Sequence, residues 1–364
     1  MSSSEADPNT QQAGEFAERI LASLGGMFEI FTIYIGDRLG FYRALAASGP
    51  MTAAQLAAST GTHERYAHEW LEQQAVVGIL ESGAVDEGDR RFALSPGHAE
   101  VLVEADSLDY LAPIARLAVG ATRPLDAVLE AFRNGGGVPY ADYGVDLREG
   151  QADVNRASFL QLAGSEWLPA MPDVHDRLNG DPPARIADFG CGAGWSSIGM
   201  ARAYAKVRVD GFDLDEPSIE LARRHVGAAE LNDRVSLHVR DAGDPELAGR
   251  YDLVTAFECI HDMSQPVSAL RTMRNLLRDG GVGLVVDERV GDSFGTADGD
   301  VEWLMYGWSV LHCLPVGMAD QPSAATGTVM RAPTFEGYAK EAGFGSVTVL
   351  PIENLFFRFY RLDV

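Results

Sequence analysis

Three glycines at alternate positions constrain this chain more than any other feature: Ala184-Arg185-Ile186-Ala187-Asp188-Phe189-Gly190-Cys191-Gly192-Ala193-Gly194-Trp195. The residues before Gly190 have the length and apolar content of a short buried strand. Those from Ser196 to Ala205 have the period of an amphipathic helix, so the stretch predicts strand, tight loop and helix. A loop almost without side chains lets a ligand touch backbone. Downstream the alternation continues, with strands expected over 207–212, 235–239, 253–257 and 282–286 and helices over 217–226 and 266–277. Right-handed crossovers make 181–364 an α/β domain with one doubly wound parallel sheet, to which 347–351 and 356–360 add an antiparallel edge.

Spacing narrows what the loop can hold. A dinucleotide loop needs a third glycine where this chain has Trp195, and Asp188, two residues before Gly190, would repel a pyrophosphate. The same carboxylate suits a ligand with an ammonium group. Acids recur at the next strand ends: Asp213, followed by Leu214, where a carboxylate can accept both hydroxyls of a ribose, and Asp241-Ala242, placed to meet an adenine amino group. Asp210 and Asp215 compete with Asp213 for its role.

The ordered set Asp188-Phe189-Gly190-Cys191-Gly192-Ala193-Gly194, Gly211-Phe212-Asp213, Arg240-Asp241-Ala242 and Tyr251-Asp252-Leu253-Val254 resembles the class I S-adenosylmethionine-dependent methyltransferases. The resemblance covers about Ala184 to Val364. It implies a Rossmann-like sheet, S-adenosylmethionine as cofactor and S-adenosylhomocysteine as product. Gly190, Cys191, Gly192 and Gly194 would cradle the methionine part, Asp213 and Leu214 the ribose, and Asp241 and Ala242 the adenine. Asp188, Phe257 and Glu258 complete the implied cofactor site.

The fourth strand runs into Phe257-Glu258-Cys259-Ile260-His261-Asp262-Met263. The resemblance implies a histidine here that removes the proton of an acceptor hydroxyl, which makes His261 the expected base, with Glu258 and Asp262 beside it. An imidazole titrating near neutrality can take that proton as the oxygen attacks. Tyr140, Tyr143, Trp167, Trp303, Tyr306 and His312 are the aromatic and polar side chains expected around a small aromatic or apolar acceptor, the last three on a helix from Asp300 onward. A sharper alternative joins His261, Asp262 and His312 as a two-histidine, one-carboxylate metal site, as in iron-dependent C-methyltransferases of 2-oxo acids. The primary expectation, transfer to a hydroxyl oxygen, includes no metal.

Ahead of the sheet, helices over 15–42, 53–58 and 63–77 and a hairpin over 78–94, turning at Asp86-Glu87-Gly88-Asp89, make a winged-helix domain of 15–105. Its would-be recognition helix carries Glu64, Glu69 and Glu72 against Arg65, and the chain's formal charge is −24. A phosphate backbone would be repelled, which argues against nucleic acid and against a ligand-responsive transcriptional regulator. The domain resembles the dimerisation domain of small-molecule O-methyltransferases and a bacterial group often labelled as regulators, so a homodimer through the Phe16 to Tyr42 helices is expected. Residues 1–14 are expected as an unstructured tail and 106–180 as a helical linker and lid. Apolar runs such as Ile20 to Leu24 are too short to span a bilayer, and no signal peptide is apparent, which predicts a cytoplasmic protein without membrane contact. Cys191, Cys259 and Cys313 show no zinc-type spacing.

Overall fold

The computed structural model describes residues 8–83, 90–295 and 301–364. The chain divides into two compact units between Val119 and Gly120, so the segment expected as a linker is shared between them.

The first unit opens on the helix Pro8–Arg38. Residues 8–14, expected as tail, are therefore helical: proline at the first helical position gives up an amide that would have no partner there. The unbroken helix also joins apolar turns that look short in the sequence. Among the described residues it is the one helix long and apolar enough, by length and composition, to cross a membrane. Its C-terminal end is docked, with Trp70 Nε1 donating to the Thr32 carbonyl at 2.8 Å and Gln74 Nε2 to Thr32 Oγ1 at 3.1 Å. Upstream, Phe16, Ile20, Leu21, Leu24, Met27 and Phe28 are exposed. Thr52 caps the helix Ala53–Thr60 in a reciprocal box with Gln55, and His63 caps Glu64–Val76. These helices close over Phe41, Tyr42, Leu45, Leu56, Trp70 and Leu71. Strands β1 (Glu81–Ser82) and β2 (Phe92–Ala93) pair antiparallel as the wing. The expected wing turn Asp86–Asp89 lies outside the described residues.

The second unit is built on seven strands: β3 (Arg185–Phe189), β4 (Arg208–Asp213), β5 (Val235–Val239), β6 (Tyr251–Phe257), β7 (Leu277–Glu288), β8 (Ser346–Val349) and β9 (Phe357–Asp363). Their order is β5-β4-β3-β6-β7-β9-β8, parallel except where β9 runs antiparallel to both its neighbours. This is a class I methyltransferase fold. β6 is buried along its whole length, as a parallel strand covered on both faces must be. Trp167, Ile198, Met200, Leu284 and Phe359 pack in the core on one side, and Phe189, Leu270, Met273, Phe335 and Tyr360 in a second cluster. The chain leaves β3 outward to β4 and β5, then crosses back to β6, so a crevice opens at the carboxyl ends of β3 and β6.

Two helical stretches differ from expectation. The helical linker expected over 106–180, read as one helix over 153–178, is broken around Trp167 into Arg156–Leu162, a π-helical turn Ala163–Trp167 and Pro172–Asn179, because Pro172 starts a new helix where it could not continue one. Downstream, Glu302–Trp308 runs into a second π-helical turn, Ser309–Cys313. The expected start at Asp300 lies outside the described residues.

Candidate functional site

The glycine loop after β3 takes left-handed backbone at Gly190 and Gly192, with φ of 62° and 49°. A Cβ at Gly190 would stand 2.7 Å from Cys259 Sγ, so this glycine lets β3 and β6 close at the crevice. At Gly192 a Cβ would meet nothing within 4 Å, which leaves bare backbone facing open space. Its amide donates to Asp213 Oδ2 at 2.8 Å, while the Asp215 amide donates to Asp213 Oδ1 at 2.9 Å. Two backbone donors thus aim the Asp213 carboxylate, and burial pushes its pKa up against them.

A cavity of about 820 Å³ lies here, lined by Gly190, Cys191, Gly192, Asp213, Leu214, Asp241, Ala242, Phe257 and Glu258, and also by Tyr140 and Asp262. Two of the expected cofactor residues stand apart from it. Asp188 is fully buried, its Oδ2 accepting from Ser196 Oγ and Ser197 Oγ at 2.6 Å each and its Oδ1 from Thr255 Oγ1 at 2.8 Å. The carboxylate therefore ties β3 to β6 and to the helix Trp195–Ala203 and touches no ligand space. Gly194 packs against Ala222, 3.0 Å from where a Cβ would be, and likewise does not line the cavity.

Arg148, which sequence reasoning missed, clasps Asp215 with Nε at 2.6 Å and Nη2 at 3.1 Å. Burial alone would raise the Asp215 pKa, but the guanidinium and Ser218 outweigh it and hold the carboxyl below its ordinary range. Asp215 also caps the helix Glu216–Ala228. This competitor for the role of Asp213 is thus occupied with structure.

Past β6 the backbone turns sharply at Glu258, whose φ of 51° is rare for a side chain-bearing residue. Asn155 Nδ2 donates to its Oε2 at 2.9 Å, yet burial pushes its pKa up to about 7. Asp262, in the same cavity wall, is pushed to about 6 by burial, against the charge of His261. His261 itself does not line the cavity and is only 2% exposed. Its Nδ1 stands 2.6 Å from Asp287 Oδ1 and 2.9 Å from Glu288 Oε2, both at the end of β7. Burial opposes a charge on the ring, but Glu288 and Asp287 prevail and lift its pKa well above the usual histidine value. Asp287 and Glu288 also went unread in the sequence; the only signal was an Asp-Glu pair ending an apolar strand.

His312 is buried with its Nδ1 3.4 Å from Cys313 Sγ and its Nε2 without a hydrogen-bond partner. Burial and the charge of His261 push its pKa down to about 3, so it is neutral. Its ring meets Tyr143 edge-on at 4.6 Å and Tyr140 at 5.9 Å. Tyr143 is buried, donating to the Leu311 carbonyl at 2.9 Å.

The other expected acceptor contacts lie elsewhere. Trp167 sits in the core against Phe257 and Phe359, because its π-helical turn faces the sheet. Trp303 is 73% exposed, and Tyr306 accepts from Arg331 Nη2 at 3.0 Å; neither lines the cavity. Nor do His261, Asp262 and His312 converge as metal ligands. Among the described residues the group with that geometry is His261, Asp287 and Glu288, whose ligand atoms lie within 4.8 Å of one another. Asp262 is turned to the cavity wall instead.

Residues 186–281 match the methyltransferase domain family, and residues 29–104 the Rv2258c-like winged HTH domain. The chain is 35% identical over 139 residues to a ubiquinone biosynthesis O-methyltransferase of Marinobacter nauticus, a match spanning 34% of this chain and 58% of that protein. It is 35% identical over 111 residues to a 27-O-demethylrifamycin SV methyltransferase of Amycolatopsis mediterranei, spanning 29% and 40% of the two chains. Whole-chain likeness is found among solved structures. The mitomycin 7-O-methyltransferase MmcR superposes with a TM-score of 0.70 at 19% identity, covering 98% of this chain and all of that one. Human N-acetylserotonin methyltransferase, in complex with S-adenosylmethionine, gives 0.70 at 17% identity over 100% and 99% of the chains.

Proposed function

We propose that this chain, which joins a methyltransferase domain of class I fold to a winged-helix domain, transfers a methyl group from S-adenosylmethionine to a hydroxyl oxygen of a small aromatic or apolar molecule. The observation that carries this reading is the cavity at the switch point, where a bare glycine loop and a backbone-aimed Asp213 stand beside the Glu258 to Asp262 turn. The donor set fits the cofactor. Open space at Gly192 suits an amino-acid moiety, Asp213 has two oxygens for vicinal hydroxyls, and Asp241, fixed by the Gly243 amide at 2.7 Å, is beside apolar Ala242 for an adenine.

When bound, the cofactor supplies a methyl group on a sulfonium, transferred in line to a nucleophilic oxygen. The chain's work is alignment and the handling of one proton. Glu258, with a pKa near 7 in the cavity wall, is the group of this turn that can meet the acceptor's proton, and His261 behind it is the stronger base. Asp287 accepts from Nδ1 and so leaves Nε2 of His261 as the basic atom. Incubation with trideuteromethyl-labelled S-adenosylmethionine and a panel of phenols should give labelled aryl methyl ethers by mass spectrometry. Label found on nitrogen or carbon would overturn the hydroxyl assignment.

The exposed apolar side chains of Pro8–Arg38 support association of two copies through the first unit. Such a face is rarely left to water. Light scattering at micromolar concentration should give twice the chain mass of 39.2 kDa, and Leu21→Glu with Leu24→Glu should halve it. A single chain's mass for the unaltered protein, or sedimentation with lipid vesicles, would count against the dimer.

A further inference from the structure

One face of the helix Gly144–Val154 and its cap Asn155 lines the cavity through Arg148, Gln151 and Asn155. Spacings of three and four residues put these side chains on one side of the helix, and each holds a different wall of the cavity. Asn155 donates to Glu258, Gln151 accepts from the Tyr140 hydroxyl at 3.2 Å, and Arg148 grips Asp215 with both ends of its fork. The first two contacts fix the register of the helix. The third reaches the proposed ribose position.

Asp215 follows Asp213 by two residues, and its amide donates to Asp213 Oδ1 at 2.9 Å, so the two carboxyl groups share one tight turn. Neighbouring carboxylates in a poorly hydrated wall disfavour each other's charge. Asp215 accordingly pushes Asp213 toward its neutral form, in addition to what burial does. The Arg148 guanidinium opposes that push, whereas the Ser218 amide and hydroxyl that also donate to Asp215 carry no charge. With the Arg148 and Asp215 side chains only 13% and 15% exposed, water and salt screen the pair weakly. The form of Asp213 matters to a ribose. A carboxylate offers an oxygen to each of two vicinal hydroxyls, through charge-assisted bonds about twice as strong as neutral ones, while the protonated group turns one oxygen into a donor.

We infer that Arg148 is a positioning residue for the cofactor: by cancelling the charge of Asp215 it keeps Asp213 the two-oxygen acceptor that selects a ribose with both hydroxyls. The inference rests on the proposed function and deepens it. In this role Arg148 touches no reacting atom and acts on Asp213 through Asp215.

Calorimetry on the full chain with S-adenosylhomocysteine and its 2′-deoxyribose analogue tests it. The unaltered protein should prefer the ribose form by at least about 10-fold, the size of one hydrogen bond to a charged acceptor. Arg148→Gln should shrink that preference to about 3-fold or less, because the bond to Asp213 loses its charge assistance. Adding Asp215→Asn to Arg148→Gln removes the stray charge without mending the clasp, and the preference should return to about 10-fold. Arg148→Lys keeps the charge and loses the fork, so it should retain the preference, and it decides the matter if the glutamine variant does not fold. Several results overturn the inference: no preference in the unaltered protein, a preference unchanged in Arg148→Gln with both ligands weakened by one factor, a double variant no better than the single, or a lysine variant that loses the preference. Binding of S-adenosylhomocysteine to the unaltered protein separates the two layers. If it binds and the variants fail these expectations, this inference alone falls; if it does not bind, the proposed function falls first and takes this inference with it.

Discussion

Asp213→Ala is expected to lower affinity for S-adenosylhomocysteine by at least about 100-fold. Each hydrogen bond to a charged group contributes about 1.5–3 kcal/mol, and two ribose hydroxyls would lose their acceptor together. The loss is compounded locally, because the same carboxylate anchors the amides of Gly192 and Asp215 and therefore the shape of two loops. Asp213→Asn keeps the outline but offers an amide NH2 donor where one of the donors needs an acceptor oxygen, so it should fall between the two. Calorimetry beside thermal unfolding is the measurement. An Asp213→Ala protein that is folded and binds S-adenosylhomocysteine as tightly as the original would remove Asp213 from the site.

His261→Asn should lower kcat by about 10²–10⁴, the usual size of general-base help, with KM for the cofactor little changed. The pH dependence carries the sharper signature. A base must be deprotonated to work, and Asp287 and Glu288 lift the pKa of His261 well above 6.5, so kcat/KM should fall as pH drops and the acid limb should lie on the alkaline side of that value. Asp287→Asn removes a negative neighbour, so the His261 pKa falls and the limb should move to lower pH. A limb that stays in place in Asp287→Asn, or a rate in His261→Asn within about 3-fold of the original, would show that the histidine takes no proton in the reaction.

The parts of this molecule legible in the sequence are those written in local spacing. Gly190 and Gly192 announce a turn only glycine can make, and Asp213 and Asp241 stand at strand ends, where a parallel sheet presents its ligand side. What could not be read depends on register between distant segments. Asp287 and Glu288 reach His261 because β6 and β7 pair Phe257 with Val286, a fact that no window of sequence contains. Arg148 meets Asp215 across 67 positions in the chain. Asp188 reads as a ligand group because its acidity is visible, while the Ser196, Ser197 and Thr255 hydroxyls that consume it are visible only once the fold is in place. Trp167 and Trp303 misled for the opposite reason: composition supplies an aromatic but not the direction in which its turn faces. The helix over residues 8–14 went unseen because Asn9, Gln11 and Gln12 show no apolar period, and a helix already nucleated downstream extends through them at little cost.

The left-handed backbone at Glu258 ties evolution at this position to two opposed demands. A non-glycine residue held at φ of 51° costs the fold on the order of 1 kcal/mol, which glycine would recover. Drift toward stability therefore pulls position 258 toward glycine and away from the carboxylate, while the proposed use of that carboxylate in the cavity would pull it back. A lineage that kept the sheet but lost its chemistry should lose Glu258 early, and the residue is thus a better marker of a working site than the glycine loop that first draws the eye.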